Sequence, residues 1–321
     1  MPPSRRATQS SPLRKSPLAD AVDAAIREVP ARRHIQSIVV AREGEIVLER
    51  YFRDRRPSDL SNLHSVTKSV VATLAGIAIG DGSLALRTPL GDLFDERLFG
   101  GDERKRQIRV EHLLTMTSGL DADTPHDIDE IADRGESWIG GPLAAPLRAD
   151  PGTTFIYNNG AAHVLAALIA RATGTPLARL AEERLFAPLG IDEYRWPADP
   201  DGNPLGYGHL ELRPRELLRL GQLYLDPAQQ LLPVSFVEAA TTAQSSGGPP
   251  EGVPYGYLWW IGEDCGHRSF FAGGYGGQYV TVVPDLALVV VTTGDVDVFI
   301  ETSRNLRRLV SEVAIPVLTS S

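Results

Sequence analysis

β-Rich segments lie near both ends of this chain, and helix-like segments fill the sequence between them. Near the beginning, residues 37–40 and 46–51 flank the turn-like residues 42–45, which predicts a hairpin. The last third contains four further β-rich runs: residues 256–261, 270–271, 279–283 and 286–292. Strands at both ends can share one sheet only if the chain ends meet. We therefore predict an α+β fold with a single antiparallel sheet formed from both chain ends, flanked by helices and interrupted by an inserted helical region.

Apolar periodicity and capping residues predict helices in most of the remaining sequence. The predicted helices cover residues 18–29, 65–80, 110–116, 161–173, 176–185, 214–225 and 299–317. Residues 121–154 are rich in Gly, Pro and acidic residues, which predicts a long surface loop or lid. We predict a disordered tail over residues 1–17 and a single domain over residues 18–321. Its sheet part is expected at about 18–60 and 250–321, and its helical part at about 61–249.

The overall composition excludes several classes of function. The chain has 321 residues and a net charge of −9, and an acidic surface disfavours a nucleic-acid partner. The one cysteine, Cys265, cannot form an internal disulfide, which favours a reducing compartment. No apolar run of about 18 residues occurs, so we predict no membrane span, no secretion signal and a cytoplasmic location. We expect no metal and no cofactor, and the oligomeric state stays open, a homodimer included.

Lysine is rare in this chain, which makes each lysine informative. Lys and Arg together number 32, and only three of these residues are Lys: Lys15, Lys68 and Lys105. Lys15 and Lys105 stand among Ser or charged residues, whereas Lys68 directly precedes the apolar run 70–79. A lone lysine beside such a run is best explained by a function or by a buried partner. We therefore single out Lys68.

Ser65 lies three residues before Lys68, at the start of the predicted helix 65–80. Side chains at i and i+3 share one face of a helix, so both groups can meet at one point. Serine is a weak nucleophile unless a base removes its proton, and a desolvated lysine can be that base. The backbone N–H of Ser65 can also stabilise an oxyanion. The alternative is structural: Ser65 only caps the helix while Lys68 extends to solvent.

A second polar motif, Tyr157-x-Asn159, precedes the predicted helix 161–173. A phenol can transfer protons, and an amide can bind both a lysine and a substrate carbonyl. The alternative is a tyrosine packed under a loop, with Asn159 as the helix cap. The occurrence of both motifs, in this order and with a helical insertion between them, favours the catalytic interpretation.

With these residues the chain resembles the penicillin-recognising serine hydrolases, especially their class C β-lactamase-like branch of esterases, D-amino-acid peptidases and 6-aminohexanoate-dimer hydrolases. The resemblance covers about residues 39–291 and rests on residues 65–68, 81–84, 113–120, 151–159 and 255–260. It implies a β-lactamase/transpeptidase-like fold. It also implies that Ser65 is acylated, that Lys68 and Tyr157 exchange its proton, and that Asn159 helps to hold Lys68 and the substrate.

One motif of the family is altered here. Its Lys-Thr-Gly or His-x-Gly strand falls on residues 272–274, Ala-Gly-Gly, so alanine occupies the position of the cation. Gly274 still lets a substrate run along the strand, and the N–H of Tyr275 can complete an oxyanion hole with that of Ser65. The charge that binds a substrate carboxylate is missing, which argues against efficient antibiotic hydrolysis. Residues 273–279 also resemble the 6-aminohexanoate hydrolase subgroup.

Other residues near these motifs carry weaker signals. Trp138, in the predicted lid, is a candidate wall of the substrate pocket. Trp259 and Trp260 alternate along a predicted strand, so only one of them can face the site. His267 and Arg268 can replace the missing cation only if the fold brings them close; a solvated turn is the alternative. His64 is expected to have a structural role and Cys265 to be incidental.

The sequence thus predicts a serine hydrolase that cleaves a small-molecule ester or amide through an acyl-enzyme. Three other readings stay open: a β-lactamase, a D-amino-acid peptidase, and a non-catalytic sensor of peptides or cell-wall fragments with the same fold. A binder has little need of a base, and the combination of Ser65, Lys68, Tyr157 and Asn159 therefore favours the enzyme.

Overall fold

The computed structural model describes residues 16–121, 137–226, 231–296 and 300–320. Eight strands form one antiparallel sheet in the order β2-β1-β10-β9-β8-β7-β6-β5, and β3 and β4 pair separately. The strands are β1 (Ile35–Arg42), β2 (Glu45–Tyr51), β3 (Ser61–Asn62), β4 (Glu211–Leu212), β5 (Ser245–Gly248), β6 (Val253–Tyr255), β7 (Trp260–Asp264), β8 (His267–Gly274), β9 (Gln278–Val283) and β10 (Leu288–Gly294).

Helices cover both faces of the large sheet. They are α1 (Pro17–Glu28), α2 (Thr67–Gly80), α3 (Glu103–Arg106), α4 (Val110–Leu114), α5 (Gly140–Ala144), α6 (Asn159–Thr173), α7 (Leu177–Ala181), α8 (Ala187–Leu189), α9 (Pro214–Leu225), α10 (Val234–Ala240), α11 (Ile300–Arg307) and α12 (Ile315–Thr319). A 3₁₀ turn, His64–Val66, leads into α2. Two π-helical turns, Glu182–Phe186 and Val310–Ala314, continue α7 and precede α12.

The sheet joins the two ends of the chain, as predicted. β1 pairs with β10 antiparallel, with Val39 opposite Val291. Ile38 and Val40 face a cluster formed with α1 and the C-terminal helices, whereas Val39 and Ala41 face the core of the helical region. Because both faces of β1 are buried, its sequence is apolar throughout instead of alternating. The predicted α+β architecture, with one antiparallel sheet formed from both chain ends, is confirmed.

Helix α2 lies at the centre of the helical region. All its residues from Thr67 to Ala78 are buried, Lys68 included. A helix that is apolar on every side must be covered by other elements. Here α6, α10 and the sheet pack around α2. Because α2 is fixed on all sides, the polar residues at its first turn are fixed as well.

Several predicted boundaries are wrong. Of the predicted strand 256–261, only residues 260–261 lie in a strand, β7. Residues 256–259 form the tight turn between β6 and β7, in which Leu258 has a φ of +55°. The sheet part resumes at Ser245, not at about 250, because β5 and β6 form a hairpin at its edge. The predicted helix 65–80 begins with the 3₁₀ turn, and the predicted helix 299–317 is interrupted by the second π-helical turn.

Two predicted segments fall largely outside the described residues. Of the predicted tail 1–17, residues 1–15 are not described, and Pro17 already belongs to α1. Of the predicted lid 121–154, residues 122–136 are not described, and residues 140–144 form α5. Within the described ranges no single helix is long and apolar enough to cross a membrane. The bent pair Asn159–Thr173 and Leu177–Leu189 meets that test only when its two helices are taken together.

Candidate active site

Ser65 and Lys68 meet at the start of α2. Lys68 Nζ lies 3.0 Å from Ser65 Oγ. The side chain of Lys68 is 1% exposed, so it does not extend to solvent. This arrangement follows from the i, i+3 spacing across the first helical turn. The structural alternative for Lys68 is therefore wrong.

The Lys68 amine has two further partners, and both are carbonyl oxygens. Nζ donates to Asn159 Oδ1 and to the backbone oxygen of Tyr207, each at 2.8 Å. A carbonyl oxygen can only accept, so these contacts use two protons of Lys68. The third contact, to the Ser65 hydroxyl, is then the one at which a neutral amine presents its lone pair. The surroundings of Lys68 thus suit an amine that accepts a proton from Ser65.

Tyr157 is a neighbour of both Ser65 and Lys68. The phenol is hydrogen-bonded to Ser65, and Lys68 Nζ lies 4.8 Å from the centre of its ring. Burial raises the pKa of Tyr157, the Ser65 hydrogen bond lowers it, and the negative charge of Glu251 raises it, so the pKa stands well above its usual value. At neutral pH the phenol therefore keeps its proton and can donate it.

The cap of α6 is Asn158, not Asn159. Asn158 Oδ1 accepts from the backbone N–H of Ala161 at 2.8 Å. The side chain of Asn159 is thereby left to contact Lys68. The structural alternative, in which Asn159 caps the helix, is therefore wrong. The cap is one residue earlier, at Asn158.

The end of β8 lies directly against the Ser65 segment at Gly274. A Cβ atom at Gly274 would lie 2.4 Å from Leu63 O and 3.3 Å from Ser65 N. Only glycine permits this approach of two backbone segments. Tyr275 follows Gly274 directly, so the oxyanion hole formed by the N–H groups of Ser65 and Tyr275 stays a prediction. The Tyr275 side chain is 43% exposed and contacts the ring of His64.

Among the residues that the structure describes, no strand pairs with the last part of β8 on its β7 side. β7 pairs with β8 only over residues 267–271, so residues 272–274 continue beyond their neighbour on that side. The opposite edge of this stretch is paired with β9. An extended substrate can therefore lie along residues 272–274 and use their backbone groups.

Of the two adjacent tryptophans, Trp260 faces the site. Its ring stacks on Tyr157 with centroids 5.8 Å apart. Trp259 is fully buried on the opposite side, where it packs against Tyr224 and Phe270. The prediction that only one of the pair faces the site is confirmed, and Trp260 forms the wall behind Tyr157.

Neither of the basic residues considered as a replacement cation reaches the site. They start β8, whereas the site is at its other end. Arg268 donates to Thr241 O, and His267 Nδ1 lies 2.5 Å from Asp285 Oδ2. Ala272, at the position of the family's cation, is buried.

Two other residues named from the sequence lie apart from Ser65. Cys265 is exposed in the turn between β7 and β8, and its thiol donates to Ser311 O. Trp138 is partly buried, and its ring centroid lies 6.1 Å from that of His163, four residues beyond Asn159 on α6. The role of Trp138 as a pocket wall stays a prediction.

His64 forms a cluster with other rings beside Ser65. Its ring centroid lies 5.6 Å from that of His209 and 5.9 Å from that of Tyr275. Burial, together with the nearby His209 and Lys68, lowers the pKa of His64 to about 4. His64 is therefore neutral at pH 7, and its contacts agree with the structural role expected for it.

A buried pair that the sequence analysis missed supports the Tyr207 carbonyl. His163 Nε2 lies 3.0 Å from Asp199 Oδ2, and both side chains are fully buried. His163 Nδ1 accepts from the backbone N–H of Gly206 at 3.2 Å. The pair thus ties the loop before Tyr207 to α6, the helix that carries Asn159. No sequence motif indicates a backbone carbonyl, although Asp199-Pro-Asp-Gly-Asn is typical of a turn.

The contrast drawn between Lys68 and Lys105 was wrong in one respect. Lys105 is also buried, at 2% exposure. Its Nζ donates to the backbone oxygens of Phe99 and Ala144, each at 3.0 Å. Lys105 thereby joins the end of α5 to the segment before α3, a structural task. Rarity of lysine therefore indicated burial at both positions.

Comparisons with known proteins agree on one family for this chain. The model of the family named Beta-lactamase matches residues 22–313. Esterase EstB of Burkholderia gladioli is 34% identical over 198 residues, which are 54% of this chain and 49% of the esterase. The aligned part therefore spans about half the length of that relative. The 6-aminohexanoate-dimer hydrolase of Paenarthrobacter ureafaciens is 25% identical over 283 residues, 79% of this chain and 71% of that enzyme.

A solved structure shows the same fold at lower identity. The octameric penicillin-binding protein homologue from Pyrococcus abyssi superposes with a TM-score of 0.74 and 17% identity, covering 95% of this chain and 77% of that one.

Proposed function

The chain belongs to the beta-lactamase family, and from this premise we propose that it is a serine hydrolase that cleaves esters or small amides through an acyl-enzyme. The observation that carries the proposal is the set of partners around Lys68. Two carbonyl oxygens accept its protons, and it also contacts the Ser65 hydroxyl. A buried amine held in this way is a base directed at one serine.

In the proposed reaction Ser65 Oγ forms a bond to the substrate carbonyl carbon and passes its proton to Lys68. The N–H groups of Ser65 and Tyr275 bind the resulting oxyanion. When the bond to the leaving alcohol or amine breaks, Tyr157 donates a proton to the leaving atom and is reprotonated from Lys68. Water then adds to the acyl-enzyme and Lys68 accepts its proton. The bond between Ser65 Oγ and the acyl carbon breaks, Lys68 returns the proton to Oγ, and the acid is released.

The alanine at position 272 favours uncharged substrates over β-lactams. A missing charge-assisted hydrogen bond to a substrate carboxylate costs about 1.5–3 kcal/mol, or about tenfold to a hundredfold in binding. The names of the two relatives, an esterase and a 6-aminohexanoate-dimer hydrolase, support an ester or a linear amide as substrate.

The test is covalent labelling with a fluorophosphonate, followed by location of the label. We expect the label on Ser65 and its loss in Ser65→Ala. Ser69→Ala is the matched control, because Ser69 is a buried serine of the same helix whose hydroxyl donates to Leu258 O. Ser69→Ala should keep the label. Labelling that persists in folded Ser65→Ala contradicts the proposal.

Substrate preference is measured next with p-nitrophenyl butyrate and nitrocefin. We expect a burst of nitrophenol and a kcat/KM at least about tenfold above that for nitrocefin, since Ala272 stands where the family has the cation that binds a substrate carboxylate. Equal or faster nitrocefin cleavage would identify a β-lactamase instead.

A further inference from the structure

Glu251 places a carboxylate at the open edge of β8. It lies in the turn between β5 and β6, and its side chain is 9% exposed. Glu251 Oε1 accepts from the Tyr279 hydroxyl at 3.1 Å and lies 3.3 Å from the position that a Cβ of Gly273 would take. The carboxylate can come this close to the strand because residue 273 has no side chain and β7 has already left the edge.

The basic side chains near Glu251 do not fully neutralise its charge. Arg304 Nε lies 3.5 Å from Glu251 Oε2, but the arginine side chain is 38% exposed, so it lies further toward solvent than the carboxylate. Arg307, the other basic group on this side, is 2.7 Å from Asp264 and is balanced by it. Glu251 therefore lies deeper than Arg304, its basic partner, beside Gly273.

A row of aromatic rings connects the carboxylate to Tyr157. Tyr279, which donates to Glu251, has its ring centroid 6.1 Å from that of Phe271. The ring of Phe271 lies 6.5 Å from that of Trp260, which stacks on Tyr157. Burial raises the pKa of Tyr157 most, and the negative charge of Glu251 raises it further, so the electrostatic field of Glu251 reaches the phenol. In the proposed reaction Tyr157 gives its proton to the leaving atom. The leaving group, and not the acyl chain, therefore passes closest to Glu251.

We propose that Glu251 is a specificity-determining residue that favours leaving groups with a positive charge and disfavours those with a carboxylate. The proposal rests on the hydrolase function given above. At an effective dielectric constant of about 20, a unit charge about 6 Å away still interacts strongly with the Glu251 carboxylate. The positive charge of Arg304 offsets part of this interaction. We expect the charge of Glu251 to change kcat/KM for each charged substrate by about fivefold to tenfold. Rejection of the wrong charge is a general source of specificity.

The experiment uses three phenyl acetates of matched size, with trimethylammonium, tert-butyl or carboxylate in the meta position. Values of kcat/KM are measured at pH 8, above neutrality, because burial raises the pKa of Glu251. We expect Glu251→Gln to lower the ratio of the cationic to the neutral ester at least about fivefold and to raise the ratio of the anionic to the neutral ester by a similar factor.

Arg304→Gln is the reciprocal variant. It removes the charge that offsets Glu251, so the preference for the cationic ester should rise by about threefold or more. This variant also keeps the proposal testable if Glu251→Gln does not fold. As a control, p-nitrophenyl hexanoate and mono-p-nitrophenyl adipate carry the difference in charge on the acyl side. Their ratio should change less than about twofold in Glu251→Gln.

Ratios that stay within about twofold of the wild type in both variants would overturn the role of Glu251. A shift confined to the acyl-side pair would overturn its assignment to the leaving group. Failure of the hydrolase function itself looks different, because the wild-type protein would then cleave no neutral ester and take no fluorophosphonate label.

Discussion

Lys68 Nζ lies 2.8 Å from the backbone oxygen of Tyr207, a residue 139 positions further along the chain. This contact and the one to Asn159 Oδ1 turn two N–H bonds of the amine away from Ser65. These two contacts therefore fix the direction in which the lone pair of a neutral amine points. The amine is thus oriented by acceptors on two separate segments, whereas Ser65 belongs to the 3₁₀ turn that leads into the helix of Lys68.

Arginine at position 68 separates the charge of this side chain from its basicity. A guanidinium keeps the positive charge but cannot accept a proton near pH 7. We expect Lys68→Arg to acylate about 10²- to 10⁴-fold more slowly than the wild type, close to Lys68→Ala, which is the usual contribution of a general base. Stopped-flow acylation with p-nitrophenyl butyrate measures this. An arginine variant within about tenfold of the wild type would transfer the role of base to Tyr157.

Lys105→Arg is the matched control for that experiment. Lys105 is equally buried and also donates to two backbone oxygens, but it lies between α5 and the segment before α3. We expect the substitution to lower the free energy of unfolding by about 1–3 kcal/mol, as overpacking does, and to leave the acylation rate constant of the folded protein unchanged.

Asp199→Asn should weaken the support of the Tyr207 carbonyl. Hydrogen bonds from His163 and Asn203 outweigh burial and keep the pKa of Asp199 below its usual value, so the carboxylate is ionised at pH 7. We expect kcat to fall about tenfold with little change in KM, since the substrate does not contact this pair. Removal of the buried charge should also cost about 1–3 kcal/mol of unfolding free energy.

The exposed neighbour Asp201 provides the comparison, and Asp201→Asn should leave both quantities unchanged. Urea unfolding and steady-state kinetics measure the two effects separately. Equal kcat in folded Asp199→Asn and wild type would show that the His163–Asp199 pair only stabilises the fold.

The sequence sufficed for the parts of the site that depend on local spacing. Ser65 and Lys68 meet because three residues make about one helical turn, and the strands at both ends have only one way to share a sheet. The contribution of Tyr207 could not be predicted, because every residue has a carbonyl and only the tertiary fold selects one. The approach of Glu251 to Gly273 depends on where β7 leaves β8, and that register is not local information.

The boundary errors have the same origin. Residues 256–261 have the composition of one strand, but the backbone must turn at Leu258 to separate β6 from β7. A Cβ at Gly256 would lie 2.0 Å from Ala240 O, so contact with α10 fixes this turn. Tertiary packing overrides the local preference for an extended chain there.

Gly274→Ala tests the close approach of β8 to the Ser65 segment. The new Cβ would lie 2.4 Å from Leu63 O, so the two backbones must separate and the oxyanion hole must widen. We expect kcat to fall by about 10²-fold or more, the usual effect of losing one oxyanion donor. Gly208→Ala is the control beside the same site, since its Cβ would meet nothing closer than 3.7 Å. Similar kcat values for the two variants would contradict the assignment of this oxyanion hole.

His64→Asn tests whether the buried imidazole makes the fold sensitive to acid. Burial lowers the pKa of His64 from 6.5 to about 4. Between these values the unfolded chain binds a proton that the folded protein does not, so stability is fully present above about pH 6.5 and is lost as the pH falls toward 4. Asparagine tolerates the φ of +45° at this position and does not titrate. Between pH 7.5 and 4.5 the wild type should therefore lose about 2–3 kcal/mol more unfolding free energy than His64→Asn. Urea unfolding of both proteins at the two pH values measures the difference, and parallel losses would show that His64 does not carry this dependence.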